Sequence, residues 1–202
     1  AALDRTAERL AQAGCRIART SPLLPDLARL AATWGTLVEA LAGADMPDAD
    51  SISHRDWIHA DRARAGFAHQ WRQLLAEWDV VLCRVLPITA FAHDHREMEK
   101  RRIVVDGQAI PYGAQSAWAS VATLTGLPAT AMPIGLAEDG LPVGMQIVGP
   151  YLEDRTPLGF AELVEREVGG FVAPPGFGGW TPLPGGEDIL RSFDKPAPAP
   201  CP

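Results

Sequence analysis

Residues 126–150 read "GLPATAMPIGLAEDGLPVGMQIVGP", five glycines and four prolines set around two apolar runs. "ATAMPIGL" and "LPVGMQIVG", separated by "EDG", spell strand, turn, strand. The glycines at 126, 135, 140, 144 and 149 permit positive φ or close backbone approach. The prolines at 128, 133, 142 and 150 fix φ and withdraw N–H donors from a ladder. Together they set where the strands begin, bend and stop. The stretch is scaffold, holding neither nucleophile nor base. Gln146 has an amide able to orient a neighbouring loop, but a core glutamine satisfied by backbone is the commoner arrangement.

The rest of the chain alternates helical and strand patterns. Leu3, Ala7, Leu10 and Ala11 share a helical face that Gly14 ends, and "CRIAR" then alternates apolar and basic as a short strand does. Leu27, Leu30, Ala31, Trp34, Leu37, Val38 and Leu41 recur at helical spacing between Pro25 and Gly43. After the polar loop "GADMPDADSIS", a long helix capped near Ser53 carries Trp57, Ala65, Ala68, Trp71, Leu75 and Trp78, its tryptophans expected as core anchors. "DVVLCRVLPITAF" reads as a strand buried on both faces that Pro87 ends, opening into a loop of the kind that borders sites. "AHDHREMEKRR" is a charged connector, and "RIVVDGQAIPY" has the Asp-Gly of a tight hairpin. "SAWASVATL" suits a short helix, and a last helix over about 154–168 is expected to be capped by Asp154 and stopped by Gly169-Gly170. The Pro- and Gly-rich end, through "PAPAPCP", reads as an extended or disordered arm. No internal repeat is visible.

At 202 residues with 47% hydrophobic content, the composition suits one compact α/β domain. The net charge of −7 and the lack of any long Lys/Arg block argue against nucleic acid or an anionic membrane as partner. There is no apolar run long enough to span a bilayer, and "AALDRTAERL" carries charges where a signal peptide is apolar, so a cytoplasmic location is expected. Cys15, Cys83 and Cys201 are odd in number and lack CxxC spacing, which supports neither disulfides nor zinc.

From Trp118 to Thr156 the sequence "WASVATLTGLPATAMPIGLAEDGLPVGMQIVGPYLEDRT" resembles the C-terminal portion of the amidase signature hydrolases. "DVVLCRVLPITAF", "AHDH", "DGQAIPY" and "GGFVAPPGF" support the resemblance in the same order, and "ALDRTAERLAQAGCRI" extends it more loosely to the first residue. The resemblance implies an α/β fold, the C-terminal part of the amidase signature fold, with a mixed β-sheet flanked by helices. It divides the chain into residues 1–180, the C-terminal portion of an amidase domain, and a Pro/Gly-rich tail over 181–202. Two positions depart from the family pattern: Arg84 stands where proline is common and needs a partner such as Asp79, Asp94 or a solvent-facing edge, and Ala114 stands where an acidic residue is usual.

Members of the family are similar in using a Ser nucleophile, a second Ser in a cis peptide and a Lys base, in a Gly/Ser-rich segment upstream of the portion this chain resembles. Acyl transfer needs that nucleophile beside its base and donors facing the oxyanion. None of Ser21, Ser51, Ser53, Ser116, Ser120 and Ser192 sits in a Gly-Ser-Ser-Gly context, and the only lysines are Lys100 and Lys195. No catalytic residue, metal ligand or cofactor is therefore assigned. The resemblance places the loop after "LCRVLPITAF" near the substrate entrance, which makes Thr89, Phe91 and His93 candidates for lining the pocket of a small-molecule amide. His93 and His95 with Asp94 also raise a metal site, but on a charged loop a solvated connector is the simpler reading. Cys83, mid-strand among Val81, Leu82 and Val85, is expected to be a buried, inert thiol.

Two functions follow as expectations. One is a C-terminal portion of an amide hydrolase acting on carbon–nitrogen bonds other than peptide bonds, completing sheet and substrate wall, with the partner a separate N-terminal amidase chain. The other is a non-catalytic amidase-like module that binds a protein or pairs with itself as a homodimer through an exposed edge. Either way the chain alone is expected to be inactive.

Overall fold

A computed structural model describes residues 2–44, 52–174 and 176. The loop centre at 45–51 and the tail over 181–202 lie outside the described residues. Residues 1–170 form one compact unit and 171–202 a second.

Within the first unit the order is α1 (Ala2–Gln12), α2 (Leu27–Gly43), α3 (His54–Leu75), β1 (Val81–Arg84), β2 (Arg102–Val105), β3 (Gln108–Pro111), α4 (Ser120–Thr123), β4 (Ala129–Leu136), β5 (Pro142–Val148) and α5 (Arg155–Val168). Two short 3-10 turns, Met98–Lys100 and Tyr112–Ala117, flank the β2–β3 pair. The Gly/Pro-punctuated stretch folds as its pattern predicts: β4 and β5 pair antiparallel from Ala129↔Val148 to Leu136↔Pro142, with a bulge between Pro133 and Gly135. β1 joins the other side of β5, running Val81↔Val148 to Arg84↔Met145, so the strand order is β1-β5-β4. The hairpin β2–β3 is a separate two-stranded sheet, its Asp106 (φ 50) and Gly107 (φ 78) supplying the two positive φ values of a type I′ turn.

The pleat of β1 and β5 sends alternate residues to opposite faces and divides the core in two. On one face Cys83 and Val148 meet Leu30 of α2, Phe67, Trp71 and Leu74 of α3, and Val121 of α4. On the other, Met145 and Ile147 meet Ile134 of β4, Leu10 of α1 and Val164 of α5. Leu10, Leu30, Met145, Ile147 and Val164 are fully buried, each worth about 1.5–3 kcal/mol of transfer free energy. Side-chain caps open both helices, the one at Ser53 as expected and the one at Asp26 just after Pro25. Asp26 accepts from the Arg29 N–H at 3.0 Å to open α2, and Ser53 accepts from the Asp56 N–H at 3.1 Å to open α3.

Three expectations are corrected and one, that for β1, is narrowed. "CRIAR" forms no strand: among the described residues nothing pairs with its backbone beyond Cys15, whose N–H closes the end of α1 on Leu10 O. β1 does pack against a cluster on each face, with Cys83 buried in one and Leu82 half-buried in the other, but it is shorter than the apolar run suggests. It is four residues long, an edge strand of the described sheet, and Arg84 ends it exposed on the solvent-facing edge. Trp57 is 45% exposed because no described element covers the first turn of α3, whereas Trp71 is 1% exposed in the core. Asp154 does not cap α5: the third residue of that helix is Pro157, which has no N–H to give, and the Thr156 N–H already bonds Glu153 O at 2.9 Å.

Pro157 is instead packed against the end of β5. A Cβ on Gly149 would lie 2.6 Å from Pro157 Cδ, so only glycine lets α5 close onto the strand here. The Gly149 N–H meanwhile bonds Pro128 O at 2.9 Å, closing the sheet end.

Candidate functional site

The loop that follows β1 carries the three sequence candidates, and each has its own partner. Thr89 Oγ1 donates to Asp139 Oδ2 at 3.3 Å, tying the loop to the β4–β5 turn. Phe91, 46% exposed, meets Tyr112 edge to face at 6.1 Å between centroids. Tyr112 in turn lies under the Arg101 guanidinium at 5.7 Å, and Arg101 Nε donates to Arg96 O at 2.6 Å. His93 is exposed and stacks on His95 at 5.9 Å with the rings 14° apart, so the two imidazoles do face the same way although the segment is a loop. Between them Asp94 is bound by Arg96, whose Nη2 donates to Oδ2 at 2.6 Å and whose Nε donates to Oδ1 at 2.9 Å. The Arg96 side chain, followed by its backbone N–H, holds the Asp94 carboxyl down at about 2. Asp94 is therefore engaged by arginine rather than open for a cation, and no group of three His, Cys, Asp or Glu among the described residues is placed to hold a metal. The loop is a surface strap, and Thr89, Phe91 and His93 each meet a separate partner.

A cavity lies beside β1 instead, a groove of about 640 Å³. Residues 14–21 form one wall and 78–84 the other, with Trp71, Trp118, Val121 and Phe160 completing it. Arg16 bridges the walls at one end, its Nη2 donating to Glu77 O at 3.0 Å and its guanidinium stacked 4.2 Å over Trp78. At the other end the Arg84 guanidinium sits over Trp118 at 5.9 Å, which answers the need for a partner raised by this charge in an apolar run. Gln146, 5% exposed, fixes that end: its Nε2 donates to Arg84 O at 2.9 Å and Trp118 O at 2.8 Å. The core glutamine is satisfied by backbone, and by the same bonds it joins the end of β1 to the approach to α4. Sequence reasoning misses Trp71, Trp118 and the groove itself, because their signal is that of ordinary core aromatics. Arg84 alone stands out.

Nucleophile and base are not brought together among the described residues. Ser120 is fully buried and donates to Ala117 O at 2.6 Å, Ser116 donates to Gly113 O at 2.7 Å, and Ser53 is spent as the α3 cap. Ser21, on the groove wall, accepts from the Leu23 N–H at 3.2 Å. Lys100 is exposed and paired with Glu97 at 2.6 Å. Ser51, Ser192 and Lys195 lie outside the described residues. Cys83, 7% exposed, is the inert thiol expected, since burial pushes it from 9.0 up to about 12.

The family model described as Amidase matches residues 29–158. The A subunit of the glutamyl-tRNA(Gln) amidotransferase of Zymomonas mobilis is 31% identical over 120 residues, which is 59% of this chain and 22% of that protein. Its counterpart in Exiguobacterium sibiricum is 34% identical over 116 residues, 57% of this chain and 22% of that protein. Among solved structures, the corresponding protein from Thermotoga maritima superposes with a TM-score of 0.66 at 20% identity, over 86% of this chain and 40% of that one. 6-Aminohexanoate cyclic dimer hydrolase superposes with a TM-score of 0.63 at 18% identity, over 88% of this chain and 42% of that one. The chain thus spans about a fifth of the curated relatives it matches and about two-fifths of these structures. At such identities the structural likeness speaks for the fold.

Proposed function

This chain belongs to the amidase signature family, and from that premise we propose that it is the C-terminal portion of an amide hydrolase acting on carbon–nitrogen bonds other than peptide bonds. It contributes sheet and substrate wall, and the Ser-Ser-Lys machinery is supplied from outside these 202 residues. The amidase portion runs over 1–180, with 181–202 a Pro/Gly-rich tail. The observation that carries this reading is the combination of a family match over 29–158 with serines and a lysine spent on structural bonds. An acyl-transfer site needs a serine within reach of its base, and Ser116 and Ser120 give their hydroxyl protons to backbone carbonyls instead.

In the completed enzyme the strap after β1 borders the substrate, a small amide, with Thr89, Phe91 and His93 presented to it. The Asp139 bond of Thr89 and the Tyr112 contact of Phe91 hold the strap in place. The partner is an N-terminal amidase portion, as a separate chain or as part of a longer one.

The test is amide hydrolysis by the purified chain, alone and after co-expression with the Ser-Ser-Lys portion of an amidase-family enzyme. Alone it releases no ammonia from glutamine, aliphatic amides or aryl acylamides. Reconstituted, it does, and alanine at Thr89, Phe91 or His93 raises KM more than it lowers kcat. Turnover by the chain alone that disappears in Ser120→Ala or Lys100→Ala overturns the reading. The free edge of β1 favours a second reading, an amidase-like module that binds a partner or a second copy without catalysis. It predicts a stable complex that stays inactive on every amide tested.

A further inference from the structure

Of the arginines on the groove walls and the strap, Arg84 is the one whose donors are unspent. Arg16 gives Nη2 to Glu77 O, Arg19 pairs with Asp4, Arg96 holds Asp94 through Nε and Nη2, and Arg101 gives Nε to Arg96 O. Among the described residues the Arg84 guanidinium meets no carboxylate and no hydrogen-bond acceptor, and its partner is the Trp118 ring at 5.9 Å. A cation over an aromatic ring is held by the ring's quadrupole and gives no N–H to an oxygen, so the planar fork keeps its five donors. The pair is also fixed at its base. Gln146, buried in β5, donates to Arg84 O at 2.9 Å and to Trp118 O at 2.8 Å, so one amide sets the two backbones relative to each other. The side chain itself is exposed, at the last residue of β1, and the strap begins at the next residue.

We propose that Arg84, seated on Trp118, binds a carboxylate of the substrate, and that the completed enzyme therefore takes a small amide that also carries a carboxylate. The proposal rests on the reading above, in which the strap borders the substrate, and it names the substrate's chemistry. A guanidinium offers two parallel N–H groups to two coplanar oxygens, which is the geometry of a carboxylate. A single negative charge fits better than a phosphate group, because Arg84 is the one unspent fork here and Lys100, on the connector beyond the strap, is paired with Glu97. Phe91 offers an apolar surface to a neutral or an anionic amide alike, so it does not separate the two. Arg84 does. An uncharged analogue forfeits the charge-assisted bonds and leaves the fork to water, a difference that selects the anionic amide by about tenfold or more.

The experiment is a heteronuclear NMR titration of the full chain with succinamate and with butanamide, two amides that differ by a carboxylate in place of a methyl group. The expected result is a saturable shift of the Arg84 Nε–H and the Trp118 indole N–H with succinamate and none with butanamide. Arg84→Gln, at an exposed position, melts like the parent and loses the response. Arg84→Lys keeps the charge without the fork and responds more weakly. No response to succinamate, an equal response to butanamide or to sodium chloride at matched ionic strength, or a response that survives in Arg84→Gln overturns the proposal. Kinetics of the chain co-expressed with the Ser-Ser-Lys portion add a second reading, in which Arg84→Gln lowers the preference in kcat/KM for succinamate over butanamide by about tenfold. The proposed function and this inference fail separately. A succinamate response that depends on Arg84, in a chain that co-expression never makes active, removes the proposed function and leaves the carboxylate site. Restored hydrolysis that takes both amides equally, with or without Arg84, removes the site and leaves the proposed function.

Discussion

Gly149→Ala tests how α5 is seated on the sheet, and its cost follows from two opposing effects. The added methyl would stand 2.6 Å from Pro157 Cδ and 3.1 Å from Cγ, well inside van der Waals contact, with Pro157 fully buried and unable to rotate away. Overpacking of this kind costs about 1–3 kcal/mol. Alanine also restricts the unfolded chain and so returns about 0.4–1 kcal/mol, available because Gly149 is not in the left-handed region. The net expectation is a loss of about 1–2 kcal/mol. For a unit of this size that lowers Tm by about 2–8 °C. Urea denaturation followed by circular dichroism, with Pro157→Ala and the double variant completing a cycle, reads the contact directly. Pro157→Ala removes the atoms the methyl would strike, so the double variant is less destabilised than the sum of the singles. A Gly149→Ala midpoint within error of the parent, or a cycle that is additive, refutes the close seating of α5.

The same substitution at Gly159, inside α5 where a Cβ meets nothing within 4 Å, reverses sign and stabilises by about 0.5–1 kcal/mol in the same assay. Gln146→Leu keeps the bulk but leaves Arg84 O and Trp118 O without their donor, and the urea midpoint should fall by an amount equal to about 2–3 kcal/mol. Cys83, at about 12 when folded against 9.0 for an ordinary thiol, stays protonated in the folded state while the unfolded thiol ionises. Its contribution is intact below pH 9 and is lost as pH rises toward 12, at up to about 1.4 kcal/mol per pH unit, a slope that comparison with Cys83→Ala isolates. Iodoacetamide should correspondingly leave Cys83 unmodified in the native protein at pH 8 and alkylate it in urea, as mass spectrometry of the digest will record.

Sequence alone reaches the elements whose signals are local. Ser53 caps where its side-chain oxygen suits an N-terminus, Asp106-Gly107 supplies the turn only such residues make readily, and helices form over the stretches read as α2, α3 and α5, although Leu41 and Trp57 of the apolar faces are exposed. It fails where the outcome depends on a distant neighbour. "CRIAR" alternates as a strand does, but an alternating pattern cannot reveal whether anything lies alongside to pair with. The run from Asp79 reads as one long strand because its residues are apolar, yet only Val81–Arg84 pair, since a strand extends only as far as a neighbour supplies its ladder. Asp154 has the right chemistry for a cap and is defeated by a proline three positions on. The strap residues Thr89, Phe91 and His93 do share one loop, but Asp139 and Tyr112, which hold two of them, come from segments whose proximity is tertiary.

The pairing of β1 with β5 has a consequence for synthesis on the ribosome. Arg84 and Gln146 are 62 residues apart in sequence, so at about 5–20 residues per second β1 is made on the order of 3–12 s before the strand that covers it. During that interval "VVLC" is an apolar, β-prone run with neither edge paired, the type of segment by which nascent chains stick to one another. Arg84 stands at its end, and a charge beside such a run is the device by which sequences keep it from associating. The arginine that looks out of place in the finished sheet is thus well placed for the seconds before the sheet exists.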